Sequence, residues 1–235
     1  MKRFLLLIIF AVSVAGCGND KPSAKKDSVK PPKVPVKVDS VRKNLQVPVR
    51  MSSVRKTAFD IYRVRIGDVE YTCTYKGKVE RSDTLGNNPE LLFDLKAEYL
   101  VDLVYLLPLE SDHFFIAWQE TDHQGVHSKF AVFNKEKTRP EWLIDKKAPS
   151  PGQPLVDSAS AYVSCLGMVA RLNLENGNVI WMHDSLFDPT RLVFKKFQRP
   201  LVYPHTVCFY DLPIQGKKPK SDSIWMDNRT GRIVR

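Results

Sequence analysis

A pattern of 13 residues recurs three times in the second half of the chain and constrains its fold more than any other feature. When the three copies are aligned in sequence, an Asn or Asp coincides, followed four positions later by a turn residue. In the first two copies the segment also ends in a Trp. The copies are 130–142 (FAVFNKEKTRPEW), 169–181 (VARLNLENGNVIW) and 223–235 (SIWMDNRTGRIVR), which align Asn134, Asn173 and Asp227; Thr138, Gly177 and Gly231; and Trp142 and Trp181. A period of about forty residues is typical of propellers and similar arrays, in which each unit buries its apolar face against the next.

One complete unit is readable between residues 155 and 183. Short runs of apolar and β-branched residues are separated there by turn residues, which favours strands. Gly167-Met168 predicts a tight turn, and Asn176-Gly177 predicts a hairpin because both central positions of a type I′ turn need positive φ. The segment therefore predicts four antiparallel strands in one small sheet.

This unit resembles a blade of the quinoprotein (PQQ-type) β-propeller repeat, through the residues from Leu155 to the ending LNLENGNVIW at Trp181. Residues 100–145 and 198–235 match in part, since the first lacks the Gly and the last lacks the Trp. The resemblance implies that Trp181 packs between neighbouring blades. The family includes a longer outer-membrane lipoprotein that serves the barrel-assembly machine. The residues that bind the cofactor in quinoprotein enzymes have no counterpart here, so we expect no cofactor.

Residues 59–98 are expected to supply a further unit. Gly67-Asp68 separates two runs with strand character, which predicts a hairpin. Asn88-Pro89 has the form of a helix start, so a short helix from Pro89 to Glu98 competes with a strand. The fold class predicted is all-β, a propeller-like array of about four four-stranded antiparallel repeats. The alternative is a partial propeller or a curved β-sheet domain with one short helix.

The N-terminus has the three-part layout of a secretory signal. Two basic residues precede an apolar run, Phe4–Val14, that ends in small residues. That run is too short for a membrane-spanning helix, which takes about 20 apolar residues. We therefore interpret residues 1–16 as a signal peptide.

Val14-Ala15-Gly16-Cys17 resembles the lipobox of bacterial lipoproteins. The resemblance implies cleavage before Cys17 and a lipid anchor on its sulfur, so the membrane is an expected partner. Lipoproteins that are retained in the enterobacterial inner membrane have Asp directly after the lipidated cysteine. This chain has Gly18 at that position, so by resemblance we expect the outer membrane.

The positive charge of the chain is concentrated before residue 59. Residues 20–58 hold eleven Lys or Arg and three Asp, whereas residues 59–235 hold 23 basic and 23 acidic residues. The net charge of +10 therefore does not indicate a nucleic-acid-binding body. With five prolines and no aromatic residue, residues 17–58 are interpreted as a disordered tether and residues 59–235 as the folded domain. The tether either lies along anionic lipid or polysaccharide or serves as a solvated linker.

Long connections between the predicted strands fall at 119–129, 145–154, 184–199 and 212–222, all at the same end of the blades. Insertions gathered on one face of a repeat array are typical of a binding face. Aromatic and basic residues alternate within 184–199, as in the hot spots of protein interfaces. The predicted binding residues are Arg191, Phe194, Lys195 and Phe197, although the phenylalanines could instead pack beneath the loop.

Other site patterns are weaker. His123 and His127 have a spacing that places two zinc ligands on one face of a helix, but Gly125 and flanking strands favour a polar loop, so no metal is expected. Cys73, Cys165 and Cys208 are compatible with three free thiols or with one disulfide.

Two classes of function follow. The first is a non-catalytic binding or scaffold lipoprotein of the cell envelope that holds an envelope protein or polysaccharide on its long loops. The alternative is an envelope hydrolase or carbohydrate-active enzyme on the same body, for which no catalytic residue stands out in the sequence.

Overall fold

The computed structural model describes residues 45–55, 60–83, 85–137, 139–189, 192–210 and 223–234. All regular elements in these ranges are β-strands. They are β1 (Val49–Arg50), β2 (Ser52–Arg55), β3 (Asp60–Ile66), β4 (Val69–Thr74), β5 (Lys78–Asp83), β6 (Glu90–Asp94), β7 (Leu100–Pro108), β8 (His113–Thr121), β9 (Val126–Asn134), β10 (Trp142–Lys146), β11 (Leu155–Val156), β12 (Ser160–Cys165), β13 (Met168–Asn173), β14 (Val179–His183), β15 (Phe187–Asp188), β16 (Val193–Phe194), β17 (Leu201–Val202), β18 (Thr206–Tyr210) and β19 (Ser223–Asp227).

The strands form four antiparallel sheets, which we number as blades 1 to 4 along the chain. Blade 1 has the order β2-β3-β4-β5-β6, blade 2 the order β1-β7-β8-β9-β10, blade 3 the order β11-β12-β13-β14 and blade 4 the order β17-β18-β19. A separate hairpin, β15-β16, lies in the connection between blades 3 and 4. The predicted all-β array of about four antiparallel repeats is confirmed.

Hydrophobic clusters join each blade to the next. One lies between blades 1 and 2, one between blades 2 and 3, and one between blades 3 and 4. Strand β8 shows how the sequence achieves this: Ile116 and Trp118 enter the first cluster, and Phe115 enters the second. Because successive side chains of a strand point to opposite faces, a blade buried on both sides needs a nearly continuous apolar run.

Within the part of the chain that the structure describes, a hydrophobic cluster covers one face of blade 1. Tyr62 and Val64 of β3 face the cluster with blade 2, whereas Arg63 between them forms an ion pair with Glu70 at 3.3 Å. A polar outer face is what a terminal repeat of an array needs, because no further repeat covers it.

The aligned Asn and Asp residues of the repeat have the same role in each copy. The Oδ1 atom of Asn134 accepts from the amide of Glu136, that of Asn173 from Glu175, and that of Asp227 from Arg229, at 2.9–3.1 Å. Each side chain thus closes the turn that follows its strand. A short acceptor two residues before the amide is the usual stabiliser of such turns, which explains why the motif recurs.

Of the helix and the strand that compete at 89–98, the structure has the strand. Residues Glu90–Asp94 form β6, and Phe93 stacks on Phe133 of blade 2 at 4.6 Å between ring centroids. Asn88 is not an N-cap but takes a positive φ of 51° in the preceding turn. Tertiary packing of the apolar side chains outweighs the local helix signal because a helix would not fill the edge of blade 1.

Residues 45–55 were assigned to the tether, and that assignment is wrong for this stretch, which we name the strap. Gln46 pairs with Val156 of blade 3, with backbone N–O distances of 2.8 and 2.9 Å in the two directions. Strand β1 then pairs with β7 of blade 2, and β2 pairs with β3 of blade 1. The strap therefore covers the first strands of three blades, whose edges would otherwise present unpaired backbone groups.

The three cysteines of the body are buried and form no disulfide. Burial raises the pKa of the Cys73 thiol and raises the pKa of Cys165 to about 12. Among the described residues, no helix is long and apolar enough to cross a membrane.

Candidate functional site

We call one end of the blades the loop face. It carries the connections β8–β9 and β12–β13 within blades, and the connections from β10 to β11 and from β14 to β17 between blades. The longest described connection there is 184–200, which joins β14 to β17 and contains β15-β16. The long connection predicted at 119–129 is wrong, because β8 and β9 extend to leave only residues 122–125 between them. The Oδ1 atom of Asp122 closes that turn by accepting from the amides of Gln124 and Gly125. Residues 212–222 lie outside the described residues.

The hairpin β15-β16 places four apolar side chains at the protein surface. They are Phe187, Leu192, Val193 and Phe194, and we name them the apolar hairpin. Leu192 is 75% exposed and Phe194 48% exposed, and the rings of Phe187 and Phe194 meet edge to face at 5.6 Å. Leu192 also takes a φ of 56°, which is unfavourable for a leucine. Exposed apolar patches and strained backbone concentrate at functional sites, so this surface is our candidate site.

Gly167, in the turn between β12 and β13, fixes the hairpin to blade 3. Its amide donates to the Lys195 carbonyl at 2.7 Å, and its own carbonyl accepts from the Leu186 amide at 2.8 Å. A Cβ at Gly167, which has a φ of 73°, would lie 2.8 Å from Cδ1 of Phe194. The glycine thus allows the Phe194 ring to lie directly against the turn.

The structure separates the predicted binding residues. Phe194 is exposed as predicted, and Lys195 is half-buried beside it. Phe197 is 1% exposed and packs edge to face on Phe209 at 6.0 Å, so its prediction as a surface residue is wrong. Arg191 lies outside the described residues. The sequence does not distinguish Phe194 from Phe197, because no regular periodicity runs through this connection.

A cavity of about 740 Å³ opens beside the same connection. The strap, β7, β8 and the connection 147–154 form its other walls, and its lining includes Arg50, Asp102, Tyr105, Gln119, Gln153 and Arg199. The carboxylate of Asp102 is already bonded there: it accepts from Gln119 Nε2 at 2.8 Å and from Thr121 Oγ1 at 2.5 Å. Sequence analysis did not identify this cavity, since its walls come from four separate stretches of chain.

Blade 2 contains a buried ion pair that sequence analysis also missed. Glu120 is fully buried, and its carboxylate accepts from Trp118 Nε1 at 2.7 Å and from Lys129 Nζ at 3.0 Å. Both partners lie on the same sheet, so a charge inside an apolar blade is matched locally. Because both charged groups are buried and are bonded to each other, we interpret this pair as structural.

The two histidines of the weak metal pattern contact protein groups. His127 Nδ1 lies 3.0 Å from Asp145 Oδ1, and its ring is 6.4 Å from that of Tyr99. His123 Nε2 is 3.5 Å from Gln124 Nε2 at the tip of the turn. Within the described ranges, no group of three His, Cys, Asp or Glu side chains is arranged to hold a metal ion.

Comparisons with known proteins concern the fold. No family model matches the chain, and no curated protein matches it. Among solved structures, BamB from Moraxella catarrhalis is 15% identical with a TM-score of 0.42, covering 68% of this chain and 44% of that one. A europium-containing methanol dehydrogenase is 12% identical (TM-score 0.44; 80% and 43% covered), and the WD40 domain of SCAP from fission yeast is 9% identical (TM-score 0.43; 79% and 46% covered). The chain thus spans less than half the length of each of these structures, and the likeness extends to the fold alone.

Proposed function

We propose that this protein is a non-catalytic binding module of the bacterial cell envelope that holds a protein partner on its apolar hairpin. The observation that carries the proposal is the exposure of Phe187, Leu192, Val193 and Phe194 on a hairpin bonded to Gly167. Aromatic side chains carry much of the binding energy at protein interfaces. A hairpin already held in place loses little conformational entropy when the partner binds.

The proposal includes an anchor in the outer membrane through a lipid on Cys17, which lies outside the described residues. Its support is the resemblance of residues 14–17 to a lipobox, behind a signal-like N-terminus. Two or three acyl chains on one residue suffice for stable anchoring, whereas one chain binds only marginally.

The geometry favours binding over the alternative of an envelope hydrolase. Hydrolysis by paired carboxylates needs two acidic side chains that face the substrate, one protonated as the general acid and one ionised. Asp102 is the one acidic side chain that lines the cavity on the loop face, so that lining offers no carboxylate pair. The exposed feature next to that cavity is apolar and partly aromatic, as the buried core of a protein interface usually is.

Site-specific photocrosslinking in the native envelope tests the proposal. A photoreactive phenylalanine analogue at Leu192 or Phe194 should give a discrete adduct with one partner, identified by mass spectrometry. The same analogue at Glu175 or Asn176, in the connection at the opposite end of blade 3, is the control and should give none.

A second step distinguishes a specific partner from chance proximity. The double change Phe187→Ser, Phe194→Ser, combined with the analogue at Leu192, should abolish the adduct while the protein remains folded. Adducts that form equally at both ends of the blade, or that persist in the double variant, would show that the apolar hairpin is not the binding site.

A further inference from the structure

We propose that the cavity between the strap and residues 195–199 binds the carboxylate side chains of an acidic polypeptide through Arg50 and Arg199. This inference deepens the proposed function, on which it rests, because it names the chemistry of the partner segment next to the apolar hairpin.

The cavity is built where the strap meets two connections of the loop face. Arg50 belongs to β1 and pairs in register with Tyr105 of β7. Gln153 Nε2 donates to the carbonyl of Pro48 at 3.0 Å, so the connection 147–154 is bonded to the strap. At Gly152, a Cβ would lie 2.8 Å from the carbonyl oxygen of Phe197. The walls are therefore in close contact with one another and hold the cavity open.

The charges of the lining leave two guanidinium groups for a ligand. Arg50 and Arg199 are exposed at the cavity, and neither has a hydrogen-bond or ion-pair partner among the described residues. Asp102 accepts hydrogen bonds from Gln119 and Thr121, which fix its orientation, and its single negative charge offsets only one of the cations in the lining. The Ser150 amide also donates to Gln119 Oε1 at 2.6 Å, which holds that side chain in its place beside Asp102. The charged residues of the lining are thus Arg50, Lys196 and Arg199 against Asp102 alone, which gives the cavity net positive character.

Carboxylates are the anions that this arrangement fits best. A guanidinium group presents paired N–H donors that match the two oxygens of a carboxylate. At about 740 Å³, the cavity is much larger than a single inorganic anion needs. Its lining adds the side-chain amide of Gln198, which suits the polar backbone of a peptide.

Continuity with the apolar hairpin favours a polypeptide over a lipid surface. Phe194 and Arg199 lie on the same connection, so a chain that contacts one can reach the other. A bilayer presents a broad surface of headgroups, whereas Arg50 and Arg199 line a concavity that admits a protruding chain. The partner segment we infer has acidic residues for the cavity and apolar residues for the hairpin.

Fluorescence anisotropy on the full chain, purified from membranes in detergent, tests the inference. The probe is a short fluorescein-labelled peptide of alternating Glu and Leu, and a Lys and Leu peptide of equal length is the control. We expect the Glu peptide to bind, with Arg50→Gln plus Arg199→Gln weakening its affinity about tenfold or more and flattening its salt dependence. The matched control is Arg229→Gln at the opposite end of blade 4, which should bind as the unaltered protein does.

Competition identifies the class of ligand. Unlabelled Glu peptide should displace the probe at lower concentration than inorganic phosphate or dihexanoyl phosphatidylglycerol. Stronger displacement by phosphate or by the lipid, or unchanged binding by the double variant, would overturn the inference. These results are separate from those of photocrosslinking, because loss of the adduct in the hairpin variant upholds the binding face whatever the cavity binds.

Discussion

Trp181 lies directly on Gly231 of the next blade. A Cβ at Gly231 would be 2.6 Å from Cγ of the indole, whose Nε1 donates to the carbonyl of Asn228 at 3.0 Å. One blade earlier, Trp142 lies on Gly177 in the same way, with 2.7 Å to a Cβ there. The turn glycine of each repeat thus provides the surface on which the Trp of the preceding repeat packs.

Replacement of Gly231 by Ala should destabilise the protein by about 2–4 kcal/mol, through the strain of a positive φ and the overlap with Trp181. Gly86→Ala is the matched control, since Gly86 has a φ of 78° but nothing within 4 Å of a Cβ. Only the strain of about 1 kcal/mol applies there. Urea unfolding measures both. Equal losses would mean that contact with Trp181 contributes nothing.

Loss of the strap should expose the edges of three blades. A chain that begins at residue 57 should aggregate or unfold more readily than one that begins at residue 44, because unpaired edge strands associate. Size-exclusion chromatography and thermal unfolding of the two chains provide the comparison. Equal solubility and midpoint would show that the strap is dispensable.

A single residue of the strap tests the same point without truncation. Met51 is buried in the cluster between blades 1 and 2, whereas Val49 is exposed. Met51→Ala should cost about 2–5 kcal/mol in unfolding free energy, and Val49→Ala less than about 1 kcal/mol. Similar small losses for both would indicate that the strap detaches readily in solution.

The buried pair of Glu120 and Lys129 should tolerate joint replacement better than loss of one member. Lys129→Met leaves a buried carboxylate without its cation and should cost about 3–5 kcal/mol. Glu120→Gln added to that variant removes the charge and keeps an acceptor for Trp118 Nε1, so it should restore most of the stability. Chemical unfolding of the unaltered protein, of Lys129→Met and Glu120→Gln alone and of the double variant gives the coupling free energy. Additive losses would show that the charges do not interact.

Asp227 should contribute to the acid sensitivity of the fold. The hydroxyl and the amide of Thr230 donate to its carboxylate and lower the pKa of Asp227. With the pKa lower in the folded state, the contribution is present above the ordinary value of about 3.9 and is lost as the pH falls through the folded value.

Asp227→Asn should therefore reduce the fall in unfolding midpoint below about pH 4, with little change at neutral pH. The amide oxygen can still accept, as those of Asn134 and Asn173 do in the equivalent turns. Asp68→Asn, at a fully exposed side chain, is the control. An unchanged acid profile in the Asp227 variant would contradict the expectation.

Much of the fold is predictable from local sequence. The strands at 160–173 and the hairpin at Asn176-Gly177 follow from short-range chemistry, because a turn that needs positive φ admits few residues. The predicted type I′ turn is wrong, since Gly177 takes a positive φ but Asn176 does not. The recurrence of Asn173, Gly177 and Trp181 predicts the array, since identical local geometry recurs wherever those residues do. The exposure of Phe194 was one of two alternatives that the sequence allowed.

Tertiary structure decided the rest. Phe194 lies against the turn at Gly167 and remains exposed, whereas Phe197 packs on Phe209 of blade 4 and is buried. Both contacts are with residues that are distant in sequence. The strap belongs to the folded body because its backbone hydrogen-bonds to strands that are distant in sequence. Its own composition resembles that of the tether. The cavity of Arg50 and Arg199 likewise exists only where the strap meets a connection about 150 residues further along the chain. Local sequence determines which residues extend and which turn, but burial and charge pairing depend on neighbours that only the folded chain supplies.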